Sequence, residues 1–327
     1  MTRAHPVICA SAIEDIDALA TAIADGLEAE YVQLEAKRFS ARWTIVSLPD
    51  MVVQFAREDV AVVRRIRVPA GRCAFVVPLA VPESARWNAR AVNGDELIVC
   101  APRSECYACD PARTTFAIIS VPEESSAAAL ARGFATGHTS DCTVVPRGRD
   151  ARELQQRLTA LFDKTVSAAT IDPRSVRTAI GGALDACLRN AVALDRQVAA
   201  SVCRSRIVRR AEEFFRCHVG ESVSIAQLSS ASGVSERSLR NAFYDVCTTS
   251  PKRYLRLLQL HHVRRALRSP QDASTVTDVA TLHGFFELGR FAGEYKALFG
   301  EVPSQTLQRA RIHRVHAREA PGSRTAA

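Results

Sequence analysis

The chain has 327 residues, 47% of them hydrophobic and 24% charged, which is long enough for two domains that each bury a core. It contains no run of about 18 apolar residues, so no membrane span is indicated. Glu14, Asp15 and Asp17 break the apolar stretch that a secretory leader would need at the start. The net charge of +8 is uneven: Arg204–Arg318 holds 19 Lys/Arg against 10 Asp/Glu, a net of +9, which leaves −1 for the rest. A basic segment beside a neutral one suits phosphate binding in one half and a different task in the other.

In chain order, Ser11 with Glu14 reads as a capping box opening a helix whose apolar stripe runs from Ile13 to Leu27. From Tyr31 to Val121 the pattern changes to short apolar runs punctuated by proline. Strands are expected over Trp43–Leu48, Met51–Phe55, Val60–Val68, Cys73–Leu79, Arg90–Val92, Glu96–Cys100 and Phe116–Val121, with Asn93-Gly94 as a hairpin turn. Strands this short and this closely spaced predict a small barrel or sandwich. Polar or aromatic groups on those apolar strands are the candidate ligand-binding residues: Trp43, Arg64, Arg65, Trp87 and Tyr107. A plain core or surface role is the alternative for each.

Ten cysteines lie at irregular spacings and are expected to be reduced, mostly buried small hydrophobes of a cytoplasmic protein. Cys100, Cys106 and Cys109 form the tightest group along the chain, and they define a second reading, a thiol- or metal-responsive sensor. A single C-x-x-C without a nearby histidine falls short of a zinc knuckle, so no metal and no cofactor is assigned. No nucleophile–base pair and no glycine-rich phosphate loop can be assembled, so no catalytic residue is assigned either. An enzyme merely targeted to DNA is the third reading.

Helices resume at Ser125–Ala135 and Asp150–Asp163, and Asp172-Pro173 is a cap followed by proline at the first helical position. The stripe Val176, Ile180, Leu184, Cys187, Leu188, Ala191 and Val198 is expected to be exposed at a domain edge and to serve a homodimer interface. Past Arg204 the pattern repeats itself. Ser224 caps a short helix, Gly233 turns the chain, and Ser235 caps a helix with Leu239, Phe243 and Val246 inward. Ser250-Pro251 opens a connecting helix through Arg268; then Thr275–His283, the turn at Gly284 and Glu287–Phe299 repeat the unit about fifty residues on. A last helix runs from Pro303 to His313.

These residues resemble the DNA-binding domain of the AraC/XylS family of transcription regulators. The matching positions are Gly233-Val234-Ser235, Leu239, Phe243, Ser250-Pro251, Tyr254, Gly284-Phe285, Phe291, Tyr295-Lys296, Phe299-Gly300-Glu301 and Pro303-Ser304. Two positions depart from the pattern: Thr248 stands where family members usually carry glycine, and Ser229 where they carry alanine. The resemblance implies an α+β chain: an N-terminal β-rich, cupin-like barrel with flanking helices, then an all-α domain with two helix-turn-helix motifs. The expected divisions are an effector-binding domain over 1–145, linker and dimerisation helices over 146–203, a DNA-binding domain over 204–313 and a disordered tail over 314–327. Ser235, Glu236, Arg237, Arg240 and Asn241 are then the DNA-facing positions of the first unit, with Lys252 and Arg253 at the start of the connecting helix. Glu287, Leu288, Gly289, Arg290, Gly293 and Lys296 correspond in the second, where Arg290 alone among the base-facing set suits guanine. The implied partners are double-stranded operator DNA, a small-molecule effector and, for an activator, RNA polymerase.

Overall fold

The computed structural model describes residues 7–22, 27–48, 50–92, 94, 96–132, 142–145, 148–167, 171–190, 198–269 and 274–319. Among them twelve strands, numbered in chain order, build two antiparallel sheets. The larger has the order β1 (Val7–Ile13), β3 (Ala41–Leu48), β4 (Met51–Glu58), β11 (Thr114–Pro122), β6 (Arg72–Ala80), β9 (Leu97–Cys100) and β12 (Cys142–Val145). The smaller has β2 (Glu28–Gln33), β5 (Val62–Arg67), β10 (Glu105–Asp110), β7 (Arg86–Trp87) and β8 (Arg90–Ala91).

Strand alternation assigns each face. On the larger sheet Val53, Phe55, Phe75, Val77, Val99, Ala117 and Ile119 meet α2 (Ser126–Ala131), α3 (Arg149–Val166) and α4 (Pro173–Arg189) in one core. The alternate residues Trp43, Ala56, Ala74, Val76, Ile98, Phe116 and Ile118 meet Tyr31, Val62, Ile66, Cys106 and Ala108 of the smaller sheet in a second core. Central β11 is buried on both faces, hence its near-continuous apolar run Phe116–Val121. The outer face of the smaller sheet, with Val32, Val63, Tyr107 and Cys109, packs on helices of the C-terminal half in a third core.

Several expectations are corrected. The two sheets remain separate among the described residues, so the β domain is a sandwich and not a closed barrel: β7 and β8, two residues each, have too few ladder bonds to close an edge. Ser11 lies in β1, and the first helix, α1 (Ile16–Ala22), starts only after Asp15, whose carboxylate accepts the Asp17 amide. Thr44 opposite Ala10 and Trp43 opposite Ser11 show what overrode the capping box, a full antiparallel ladder with β3. β8 and β9 flank Gly94 yet lie in different sheets, so this turn crosses between layers and closes no hairpin; Asn93 lies outside the described residues. The stripe Ile180, Leu184, Cys187 and Leu188 is buried on the larger sheet, so it is a core face and offers no surface to a second copy; Ala191 and the side chain of Val198 are outside the described residues.

The C-terminal half is helical: α5 (Val198–Cys217), α6 (Ile225–Ser232), α7 (Glu236–Cys247), α8 (Pro251–Arg268), α9 (Val276–Leu282), α10 (Leu288–Phe299) and α11 (Pro303–Glu319). α11 runs past the His313 end and the residue-314 tail boundary read from the sequence, and residues 320–327 lie outside the described residues.

Candidate nucleic-acid interface

Two helix pairs hang on α8, and their caps explain why they form. Ser224 and Gln227 make a reciprocal capping box on α6, and Gly233 (φ 70°) supplies the left-handed turn. Ser235 accepts the Ser238 amide to start α7. Leu239, Ala242, Phe243 and Val246 bury one face of α7, so Glu236, Arg237, Arg240 and Asn241 are left exposed on the other. Arg240 reaches back to Glu236 at 2.8 Å, a pair half in solvent. In the second pair Thr275 and Asp278 form the capping box on α9, and Gly284 (φ 80°) turns the chain. A side chain at Gly284 would be strained: beyond the positive φ, its Cβ would stand 3.1 Å from Gln259 Nε2 and 3.4 Å from the Gly220 backbone. Phe291, Tyr295 and Leu298 bury one face of α10 and leave Leu288, Gly289, Arg290, Gly293 and Lys296 exposed.

The cations differ in freedom. Arg290 is bracketed by Glu287 at 3.8 Å and Glu294 at 2.9 Å, and Arg256 also binds Glu294 at 2.7 Å. Lys252 is exposed, whereas Arg253 donates to the Leu34 carbonyl at 3.3 Å. Lys252, Arg253, Arg256 and Arg290 line one groove between the two helix pairs. Phe286 and Leu282 are 72% and 69% exposed at the α9–α10 corner, an apolar feature that charge-based reading of the sequence passed over. Thr248 ends α7 with φ 54°, keeping the left-handed end that glycine usually supplies despite its branched side chain, and its Oγ1 lies 3.2 Å from Cys109 Sγ of β10.

Not every arginine of the basic half faces solvent. Arg264 binds Asp15 and Asp17 at 3.0 Å each, Arg268 pairs with Asp15, and Arg265 binds Glu30 at 2.6 Å. Burial opposes ionisation of Glu30, but His262, Arg216 and Arg265 hold it well below the usual carboxylate range. Buried Glu212 of α5 accepts from Tyr107 at 2.9 Å, Tyr254 at 2.5 Å and Arg65 at 3.3 Å. Burial pushes its carboxyl above the ordinary value against the pull of Arg65. His261 Nε2 accepts the Gln33 amide at 2.9 Å, and burial, which holds the ring well below its ordinary value, keeps that nitrogen free to accept. The sandwich thus grips α5 and α8, the elements that carry both helix pairs.

The five candidate ligand residues separate by strand parity. Trp43, Arg64 and Trp87 lie between the sheets, while Arg65 and Tyr107 face the helices and join the Glu212 network. Beside Arg64 stand two residues the sequence reading missed, Asp110, which Arg64 binds, and Glu58, whose Oε1 is 3.8 Å away. Burial pushes Glu58 up to about 7, with Arg64 opposing. Both Glu58 oxygens, both ends of Gln54 and Trp43 Nε1 lack a hydrogen-bond partner among the described residues. The cavity lined by Arg64, Trp87, Asp110 and Phe116 holds about 10 Å³, room for one water. Alternating strand parity hides such a cluster, because each member looks like a surface charge along the chain.

The cysteine group also divides. Cys106 points between the sheets, and Cys109, three residues on, points to the helices. The Cys100/Cys106/Cys109 sensor reading therefore fails on geometry: its third member belongs to the opposite face.

Capped helix pairs with solvent-facing second helices on a shared basic scaffold define the class of DNA-binding regulators. Residues 228–309 match a family described as a helix-turn-helix domain. The XylDLEGF operon transcriptional activator 2 of Pseudomonas putida is 37% identical over 123 residues, 37% of this chain and 76% of that protein. The probable thc operon regulatory protein of Rhodococcus erythropolis is 39% identical over 103 residues, so the matched part spans only 31% of each chain. A solved probable AraC family transcriptional regulator from Rhodopseudomonas palustris is 36% identical and aligns over 32% of this chain and 96% of its own, with a TM-score of 0.30. The chain belongs to the AraC/XylS family of transcription regulators. Among the described residues no helix is long and apolar enough to cross a membrane.

Proposed function

We propose that the protein is a sequence-specific regulator that binds operator DNA through two helix-turn-helix motifs, α6–α7 and α9–α10, under control of an effector bound in the sandwich. The observation that carries the reading is the matched pair of exposed helix faces on α7 and α10, held by the single helix α8. Successive major grooves on one side of a duplex recur at about 34 Å, and a stiff connector suits that repeat. In α7, Arg237, Arg240 and Asn241 serve base edges, Arg240 exchanging Glu236 for guanine, while Glu236 and Ser235 set the helix start. Lys252 and Arg253 at the start of α8 serve phosphates, where free amides and cations act together. In α10 the face of Leu288, Gly289 and Gly293 is nearly uncharged. It positions the protein through close approach, with Arg290 and Lys296 at its edge and Glu287 at its start.

The effector is a small molecule carrying both donors and acceptors, because Glu58, Gln54 and Trp43 present both kinds with no hydrogen-bond partner among the described residues. It enters next to Trp43, Arg64 and Trp87 and must widen a cavity that now admits one water. Arg65 and Tyr107 transmit its presence to Glu212. An activator of this design would also meet RNA polymerase. Selection of bound duplexes from a random pool by the full-length chain tests the reading. Enrichment of two half-sites about one helical turn apart is expected. Enrichment of a single half-site, or of none, would end the two-reader proposal.

A further inference from the structure

A cluster between the two sheets is left unused by DNA binding and by the effector. Cys100 ends β9, Cys142 opens β12, and the two stand opposite each other in the ladder. Cys106 reaches them from β10 of the facing sheet. The three sulfur atoms all lie within 4.8 Å of one another, and all three residues are buried. Ser104 Oγ, 3.9 Å from Cys142 Sγ, is the hydroxyl beside them. Cys142 lies 42 and 36 residues beyond Cys100 and Cys106 along the chain, so tertiary structure alone brings it to the group.

We infer that Cys100, Cys106 and Cys142 form a three-thiolate site for a soft, thiophilic ion, and that trivalent arsenic suits it best. Bonds of about 2.3 Å to a pyramidal centre, the shape its lone pair imposes on trivalent arsenic, set sulfur atoms about 3.4 Å apart, inside the observed spread. Thiolates without imidazole or carboxylate select soft ions. Charge then chooses among them. The core around them is largely apolar, with Ala74 opposite Cys100 and Ile66 opposite Cys106 in the ladders, and the one cation felt at Cys106 in this core, Arg64, is already paired with Asp110. Three thiolates leave a net charge of −1 around a divalent ion and none around a trivalent one, and an uncompensated buried charge is costly. Arsenious acid reaches the neutral product without an oxidant or reductant. Three S–H and three As–O bonds break, three As–S bonds form, and three waters leave. Among the described residues β12 is the edge strand of the larger sheet, four residues long and paired with β9, and entry is by that edge.

The site has a route to the DNA-binding half. β10 carries Cys106 on one face and, on the other, Tyr107 against Glu212 and Cys109 against Thr248 at the end of α7. Contraction of the thiols around an ion displaces β10 and with it the end of α7. This consequence rests on the reading of α7 as a DNA reader; ion binding itself does not.

The test uses the full-length reduced chain with exposed Cys9, Cys203 and Cys217 replaced by serine, and arsenite as the probe. One arsenic per chain should survive gel filtration, with three sulfur neighbours by X-ray absorption. Fewer sulfur neighbours in this parent chain would overturn the site whatever any variant does. Removing a group that merely orients a ligand weakens binding about 10–100-fold, so Cys142→Ser should weaken it at least about 100-fold. Cys187→Ser, on α4 in the helix-side core, should change nothing; undiminished binding by Cys142→Ser would sink the proposal. Zinc should be held more weakly than arsenic, and the reverse order would overturn the assignment to a trivalent ion. Loading should alter operator affinity at least about fivefold, the lower range of site-to-site coupling. An unchanged affinity would overturn the β10 route, whereas failure of the ion-free chain to bind any operator would count against the DNA reading instead.

Discussion

Replacing Glu58 by glutamine should stabilise the sandwich at pH 8 and flatten its pH dependence. Glu58 is fully buried on β4 between the sheets, 3.8 Å from Arg64, which is already engaged by Asp110. Burial moves its carboxyl from the ordinary 4.5 up to about 7. A folded-state value raised above the unfolded one means the native state binds the proton more tightly. The associated stabilisation is complete below pH 4.5 and is lost as pH rises through 7. Each tenfold change in proton affinity corresponds to about 1.4 kcal/mol, so full ionisation costs the native state about 3 kcal/mol. Glutamine keeps the shape and removes the ionisation, so Glu58→Gln should gain up to about 3 kcal/mol at pH 8 and little at pH 5. The assay is built into the chain. Its two tryptophans, Trp43 and Trp87, both lie in the buried sandwich, so their fluorescence follows that domain during urea unfolding. Curves at several pH values between 5 and 8 for both proteins decide the matter. Wild-type stability that climbs from pH 5 to pH 8, or a variant less stable at pH 8, would refute the reasoning.

Arg240→Ala should cost about 1–3 kcal/mol on operator DNA and relax preference at one base position. Lys252→Ala should instead weaken operator and random DNA alike and lower the salt slope by about one; equal losses on both DNAs for Arg240→Ala would make it a phosphate clamp. Thr248→Gly should raise the thermal midpoint, because a left-handed non-glycine residue costs about 1–2 kcal/mol and the contact it gives up, to a thiol, is weak. A lowered midpoint would show that the Cys109 contact outweighs the strain. Tyr107→Phe removes one hydrogen bond to a buried carboxylate and should cost about 1.5–3 kcal/mol, read as earlier melting of the full-length chain; an unchanged melt would leave the Glu212 network without a role in holding the two halves together.

Much of the C-terminal half was legible in the sequence because its determinants are local. A cap, a glycine with positive φ and inward residues at helical spacing lie within a few positions of one another, as at Ser224, Gly233 and Ser235 or at Thr275 and Gly284. The Asp172-Pro173 start of α4 and the strands Ala41–Leu48 and Arg72–Ala80 were readable for the same reason. The short strands β7 and β12 were not: Arg86–Trp87 and Cys142–Val145 carry too little pattern to stand out before a neighbouring strand recruits them. Tertiary structure alone decided how faces are used. It set Arg64 inward and its neighbour Arg65 outward, buried the α4 stripe on a sheet, and tied Arg264, Arg265 and Arg268 to carboxylates of the other half. It also exchanged Cys109 for Cys142 in the thiol cluster. The reason is range: a cap or turn is satisfied by atoms a few residues away, whereas a buried charge or a convergent thiol set is specified only when distant strands pair in register.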